Sequence, residues 1–74
     1  MREGLLWFDD DPHRRVEDKI QQAAERYRRK FGVAPDICYV NTGVVERTGI
    51  QIGAVRVLPI STVRPHHFLI GRAV

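Results

Sequence analysis

The chain has 74 residues, with 12 Lys and Arg against 9 Asp and Glu, a formal net charge of +3 and one cysteine. A single cysteine excludes a disulfide framework within these residues, and the apolar run ICYV around Cys38 is typical of a small buried hydrophobe. The apolar run near the start, LLWF, is too short for a signal peptide or a membrane span. We therefore expect a soluble cytoplasmic protein with no membrane partner.

The first predicted elements are a strand and a helix within one domain, residues 1–74. LLWF predicts a strand over residues 5–8, with apolar side chains on both of its faces. Asp11 is the predicted N-cap of the helix, and Pro12 its first residue, where a missing N–H does no harm. Gly32 is placed to end the helix in a left-handed conformation. Apolar residues at spacings of three and four predict one buried stripe, which consists of Val16, Ile20, Ala23, Ala24, Tyr27 and Phe31.

The second half of the chain is rich in short alternating runs. DICYVN predicts a second strand, parallel to the first in a β-α-β unit. GIQIGAVRVLP predicts a hairpin whose two-residue loop, Gly53-Ala54, suits a type II′ turn, and Pro59 stops that ladder or marks an edge. HFLIG predicts the final strand, and residues 42–49 fit a loop, a helical turn or an edge strand. The predicted class is α+β: one amphipathic helix packed on a small mixed sheet of about five short strands.

Both faces of the first two strands are apolar, which is the main indication of function. Leu5 and Trp7 alternate with Leu6 and Phe8, and the second strand repeats the pattern over residues 37–40. One helix covers one face of a sheet, and large apolar patches are rare on soluble monomers. A second copy of the chain is the simplest cover, since a domain of this size gains stability from association. The hairpin folded across that face and a different protein are the alternatives.

The segment DDDPHRR is the strongest indication of a chemical site. Asp9, Asp10, Asp11 and His13 follow a strand and precede a helix, where α/β proteins often bind ligands. Carboxylates and imidazoles bind divalent metals, and His66 and His67 could complete such a site. The alternative, with no cofactor, is that these aspartates cap the helix and complement its dipole.

Basic residues of the helix suggest a further possible function. Five of them fall within about a third of the circumference at 100° per residue: Arg15, Lys19, Arg26, Arg29 and Lys30. Such a stripe suits a phosphate backbone, and predicts a weak nucleic-acid-binding protein. A solvated face containing an i,i+4 pair between Glu25 and Arg29 explains the same residues. No aromatic residue alternates with them, which leaves a base-stacking platform without support.

Sequence motifs for phosphoryl or acyl transfer are absent, which favours a protein without enzymatic activity. Pro35-Asp36 with Glu46 is similar to a nuclease pattern, but Arg47 and Thr48 follow Glu46 where that pattern has a lysine. We therefore expect a homodimeric or protein-interaction module, with nucleic-acid binding and a metal-dependent activity as the two alternatives.

The whole chain resembles a group of short bacterial proteins of unknown function. The matching segments are LLWFDDDP at the start, RYRRKFGVAPDICYV in the middle and VRVLPISTVRPHHFLIG at the end. This resemblance implies a complete small protein rather than a fragment, and it implies no activity, cofactor or site residue.

Overall fold

The computed structural model describes residues 4–73, and these form one helix and five strands. In chain order, the elements are β1 (Gly4–Phe8), α1 (Val16–Phe31), β2 (Ile37–Val40), β3 (Ile50–Ile52), β4 (Val55–Pro59) and β5 (His67–Gly71). All five strands share one mixed sheet, in the spatial order β1-β5-β2-β4-β3. The predicted α+β class, with one helix on a five-stranded mixed sheet, is confirmed.

The last strand of the chain lies between the two strands of the β-α-β unit. β5 pairs antiparallel with β1 on one side and with β2 on the other. β1 and β2 are therefore parallel to each other, as predicted, but they are separated by one strand. On the far side of β2, β4 pairs in parallel, and β3 pairs antiparallel with β4. The hairpin thus extends the sheet, and the alternative that it forms a second layer across the sheet is wrong.

The helix begins later than the sequence predicts. It starts at Val16, with Arg15 at the N-cap position in an extended conformation and without a side-chain hydrogen bond. Asp11 lies before the turn formed by Pro12 and His13, four residues from the N-cap, so the predicted capping role of Asp11 is wrong. The physical reason is local. The Asp11 carboxylate accepts a hydrogen bond from the His13 N–H two residues later, which stabilises a turn instead of a helix.

The end of the helix and its buried stripe agree with the prediction. Gly32 has a φ of 76°, and its N–H donates to the carbonyl of Arg28 at 2.8 Å, which closes the helix in the left-handed conformation. Ile20, Ala23 and Tyr27 are buried in the core, while the other predicted members of the stripe pack against it. The helix therefore covers one face of the sheet through β1, β5 and β3.

The hairpin also matches its prediction. Ile52 pairs with Val55 across the two-residue loop, and Gly53 has a φ of 58°. Ala54 does not share the positive φ, as expected for a type II′ turn with glycine at its first central position. Residues 42–49 contain turns without regular secondary structure.

Candidate functional site

The acidic segment is organised around Asp9, whose carboxylate is held between two cations. Arg14 Nη1 donates to Asp9 Oδ2 at 2.7 Å, and Lys19 Nζ lies 3.9 Å from Oδ1. Lys19 Nζ also donates to the main-chain carbonyl of Asp9 at 3.3 Å. The side chains of Asp9 and Lys19 are 11% and 9% exposed, and Lys19 as a whole residue is 7% exposed. The two cations compensate the negative charge of the Asp9 carboxylate, and the contacts attach the end of β1 to the first turn of α1.

The other two aspartates have different surroundings. Asp10 is exposed, and Asp11 bonds the His13 N–H at 2.9 Å. The N–H of Asp11 in turn donates to Asp9 Oδ1 at 3.0 Å, so the first and third aspartates each stabilise one turn of the chain. Asp9 and Asp11 therefore stabilise the turns between β1 and α1. These turns also bring Arg14 to the Asp9 carboxylate, a contact that the sequence did not predict.

The two C-terminal histidines approach the acidic segment through the backbone. The Asp9 N–H donates to the carbonyl of His66 at 3.0 Å. His66 has a φ of 65°, and the His67 N–H donates to the Arg64 carbonyl, which describes a turn with Pro65 and His66 at its centre. The His67 ring lies 4.9 Å from that of Phe8, and its Nδ1 lies 3.0 Å from the Pro65 carbonyl. His66 thus lies in the turn, and His67 is the first residue of β5.

Metal binding by these residues stays a prediction. Within residues 4–73, no group of three or more His, Cys, Asp or Glu side chains is arranged to hold a metal ion. Of the predicted ligands, Asp9 already bonds Arg14 and Asp11 bonds the backbone. The aspartates and His66 meet at the same end of the sheet, which the sequence alone did not establish.

The basic stripe of the helix is shorter than predicted. Lys19 is 7% exposed and bonds Asp9, so it does not lie on a solvent-facing stripe with the other four cations. Arg15 is exposed near Asp18, and the predicted pair of Glu25 with Arg29 is present at 3.4 Å. Towards the helix end, three cations cluster beside β1: Arg26, Arg29 and Lys30. Nucleic-acid contact by this surface stays a prediction.

The face of the sheet opposite α1, which we call the open face, carries an apolar cross-strand row. The registers align Leu6 with Leu69, Leu69 with Tyr39 and Tyr39 with Leu58. Four strands thus contribute neighbouring side chains spaced by about 4.8 Å. Leu6 is 61% exposed, and Phe8, two residues along β1 on the same face, is 54% exposed. The sequence predicted this face from β1 and β2, but it did not identify Leu58.

The connection before β5 forms one wall of the open face. A depression of about 500 Å³ separates Leu6 and Leu69 from Thr62, Val63 and Arg64. The Asn41 side-chain amide donates to the Val63 carbonyl at 2.7 Å, which holds this connection against the end of β2. No helix or second sheet formed by residues 4–73 covers the row. Within residues 4–73, no helix or sheet therefore covers this second apolar face of β1 and β2, and its cover by a second copy stays a prediction.

The single cysteine lies on the helix-facing side of the sheet. Cys38 is fully buried, and burial raises the pKa of its thiol to about 12. A neutral thiol in the core is a weak nucleophile and a poor metal ligand. This agrees with the predicted role of Cys38 as a small hydrophobe.

Comparison with known proteins found no match: no family model, no curated protein and no solved structure corresponds to the chain. The resemblance to short bacterial proteins of unknown function stays an expectation. No helix among the described residues is long and apolar enough to cross a membrane.

Proposed function

We propose that this protein is a non-enzymatic interaction module that self-associates through the open face of its sheet. The observation that carries the proposal is the exposure of Leu6 and Phe8 in line with an apolar row across four strands. A patch of this kind is rare on a monomer and is typical of an interaction surface.

A second copy is the occupant that suits this surface best. In a two-fold interface, the same patch contributes from both subunits, so an apolar row meets an equally apolar row. The arginines next to the row, Arg56 and Arg64, are exposed at its margins, where water still solvates them. The depression beside Leu6 gives space for an apolar side chain of the other copy.

The apolar area that is exposed on this surface predicts a weak dimer. Burying the exposed parts of Leu6 and Phe8 removes roughly 100 Å² each from water, or about 2.5 kcal/mol per side chain at about 25 cal/mol per Å². Two copies contribute about 10 kcal/mol in this way, against an association cost on the order of 4–15 kcal/mol. We therefore expect dissociation in the micromolar range or weaker, with a monomer at low concentration.

The test is sedimentation equilibrium over a wide concentration range, on the wild type and on Leu6→Thr and Phe8→Thr. Threonine retains β propensity and removes most of the apolar surface, so the fold should persist while the dimer dissociates at least about tenfold more readily. Val33→Thr is the matched control, because Val33 is 46% exposed but lies in the connection between α1 and β2. A wild type that stays monomeric at millimolar concentration, or an equal effect of Val33→Thr, would refute the proposal.

A further inference from the structure

A second surface, distinct from the open face although it shares β1, lies where α1 overhangs the free edge of β1. Three cations of the last helical turns and two apolar side chains of β1 line a groove of about 340 Å³: Leu5, Trp7, Arg26, Arg29 and Lys30. The groove has an apolar floor and a basic wall. Its position matters because β1 is an edge strand of the sheet.

The backbone of β1 offers unpaired groups along this edge. The Asp9 N–H donates to the His66 carbonyl, and residue pairs of an antiparallel ladder alternate between bonded and non-bonded. Trp7 and Leu5 therefore direct their N–H and C=O groups towards β5, whereas Phe8 and Leu6 direct theirs away from the sheet. Within residues 4–73, no strand pairs with this side of β1. Such an edge is a template for an added strand.

The charges of the groove determine which kind of strand can bind beside β1. Of its three cations, Arg29 has a carboxylate nearby, that of Glu25 at 3.4 Å, and this pair is more than half exposed on both sides. Exposed pairs of this kind contribute little and exchange readily. The Arg26 guanidinium lies 5.7 Å from the centre of the Trp7 ring. The groove thus presents a net positive wall to whatever lies beside β1.

We propose that the free edge of β1 binds an extended acidic segment of another protein as a sixth strand, with carboxylates at alternate positions facing Arg26 and Lys30. Alternate residues of a strand are separated by about 6.6 Å, and four residues of a helix by about 6 Å, so the two spacings agree. The residues between the acids face the side of Leu6 and Phe8, and are expected to be apolar.

Two other occupants fit this surface less well. Pairing of two β1 edges about a two-fold axis normal to the sheet would place both basic helix flanks side by side on one face, where like charges repel. Single-stranded nucleic acid has phosphates for the cations but stacks its bases on exposed aromatic rings. Here Arg26 lies over Trp7, and the indole Nε1 is buried, without a hydrogen-bond partner among the described residues. Nucleic acid also leaves the backbone groups of β1 unused.

The test uses a short capped peptide in which glutamate alternates with valine and threonine, with a lysine-for-glutamate peptide as its control. Trp7 is the only tryptophan of the chain, so its fluorescence reports binding at this edge. We expect saturable binding of the glutamate peptide and none of the lysine peptide. Arg26→Gln and Lys30→Gln should each weaken binding about tenfold, the size of one charge-assisted hydrogen bond. Arg28→Gln, on the opposite flank of the helix, should leave binding unchanged.

Two substitutions at Leu6 distinguish peptide binding at this edge from self-association through the open face. Leu6→Pro and Leu6→Thr both remove the exposed apolar side chain, but only proline removes the outward N–H, at an edge position where proline is tolerated. Peptide binding should be lost in Leu6→Pro and retained in Leu6→Thr, whereas self-association should weaken in both. Absence of saturable binding by wild type overturns the proposal, as does an equal loss in Arg28→Gln. Tighter binding of a mixed single-stranded oligonucleotide that is insensitive to Leu6→Pro overturns it in favour of nucleic acid.

Discussion

Replacing Asp9 by alanine should strongly destabilise the fold, because it leaves a buried lysine without its counter-ion. Lys19 is 7% exposed and would retain only the main-chain carbonyl of residue 9 as an acceptor. Removing one partner of a buried ion pair costs about 3–5 kcal/mol. The remaining carbonyl and the partly exposed Arg14 argue for the lower end, about 3 kcal/mol. That is a large part of the total, since a chain of this length is stable by about 4–11 kcal/mol.

The matched control is Glu25→Ala, which removes an acid of α1 whose partner, Arg29, is exposed. Exposed i,i+4 pairs contribute about 0.3–0.5 kcal/mol, so the decrease in the free energy of unfolding should be severalfold larger for Asp9→Ala than for Glu25→Ala. Urea unfolding followed by circular dichroism measures both. A third variant, Asp9→Ala with Lys19→Met, removes the buried charge and should regain part of the loss. If Asp9→Ala costs no more than Glu25→Ala, the contact between Asp9 and Lys19 does not stabilise the fold, which contradicts this prediction.

Two further predictions concern the core and one turn. Gly49→Ala should destabilise the fold well beyond Gly43→Ala in the same urea assay: both glycines have a positive φ, but only at position 49 would a Cβ overlap the Val57 carbonyl oxygen and the Leu58 side chain. For Cys38, the unfolded thiol ionises above pH 9.0 while the buried thiol stays neutral to about pH 12, so stability present below pH 9 is lost as the pH rises. Relative to Cys38→Ala, the free energy of unfolding of wild type should fall by about 1.4 kcal/mol per pH unit in this window, and parallel pH profiles would contradict the assigned burial.

The sequence predicted the elements whose signals are local. Gly32 ends the helix and Gly53 begins the hairpin turn because both positions need a positive φ, which glycine alone adopts without strain. The strand HFLIG was predicted with its bounds, because the alternation of its side chains is visible in neighbouring residues alone. These predictions depend on a few neighbouring residues and on no distant contact.

The features that were missed depend on contacts distant in sequence. The insertion of β5 between β1 and β2 is a pairing choice that no short pattern encodes, and it also brings His66 to Asp9. Lys19 falls in the basic stripe by its angle, and only the path of the chain from Phe8 to Val16 brings Asp9 against it. The start of the helix is the exception, since it was misplaced for a local reason: turns stabilised by Asp9 and Asp11 occupy the residues assigned to its first turn.

The two proposed surfaces share β1, and their charges explain how they remain distinct. A five-residue apolar edge strand without lysine or proline is usually prone to pair with its own copy. Here the cations that protect the edge lie on the helix above it, at Arg26, Arg29 and Lys30. On our proposal, they oppose pairing of β1 with a second β1 and attract an acidic strand instead, which leaves self-association to the open face. Neutralising this flank with Arg26→Gln and Lys30→Gln together should therefore promote edge-to-edge aggregation, measurable by light scattering, while Arg28→Gln should not.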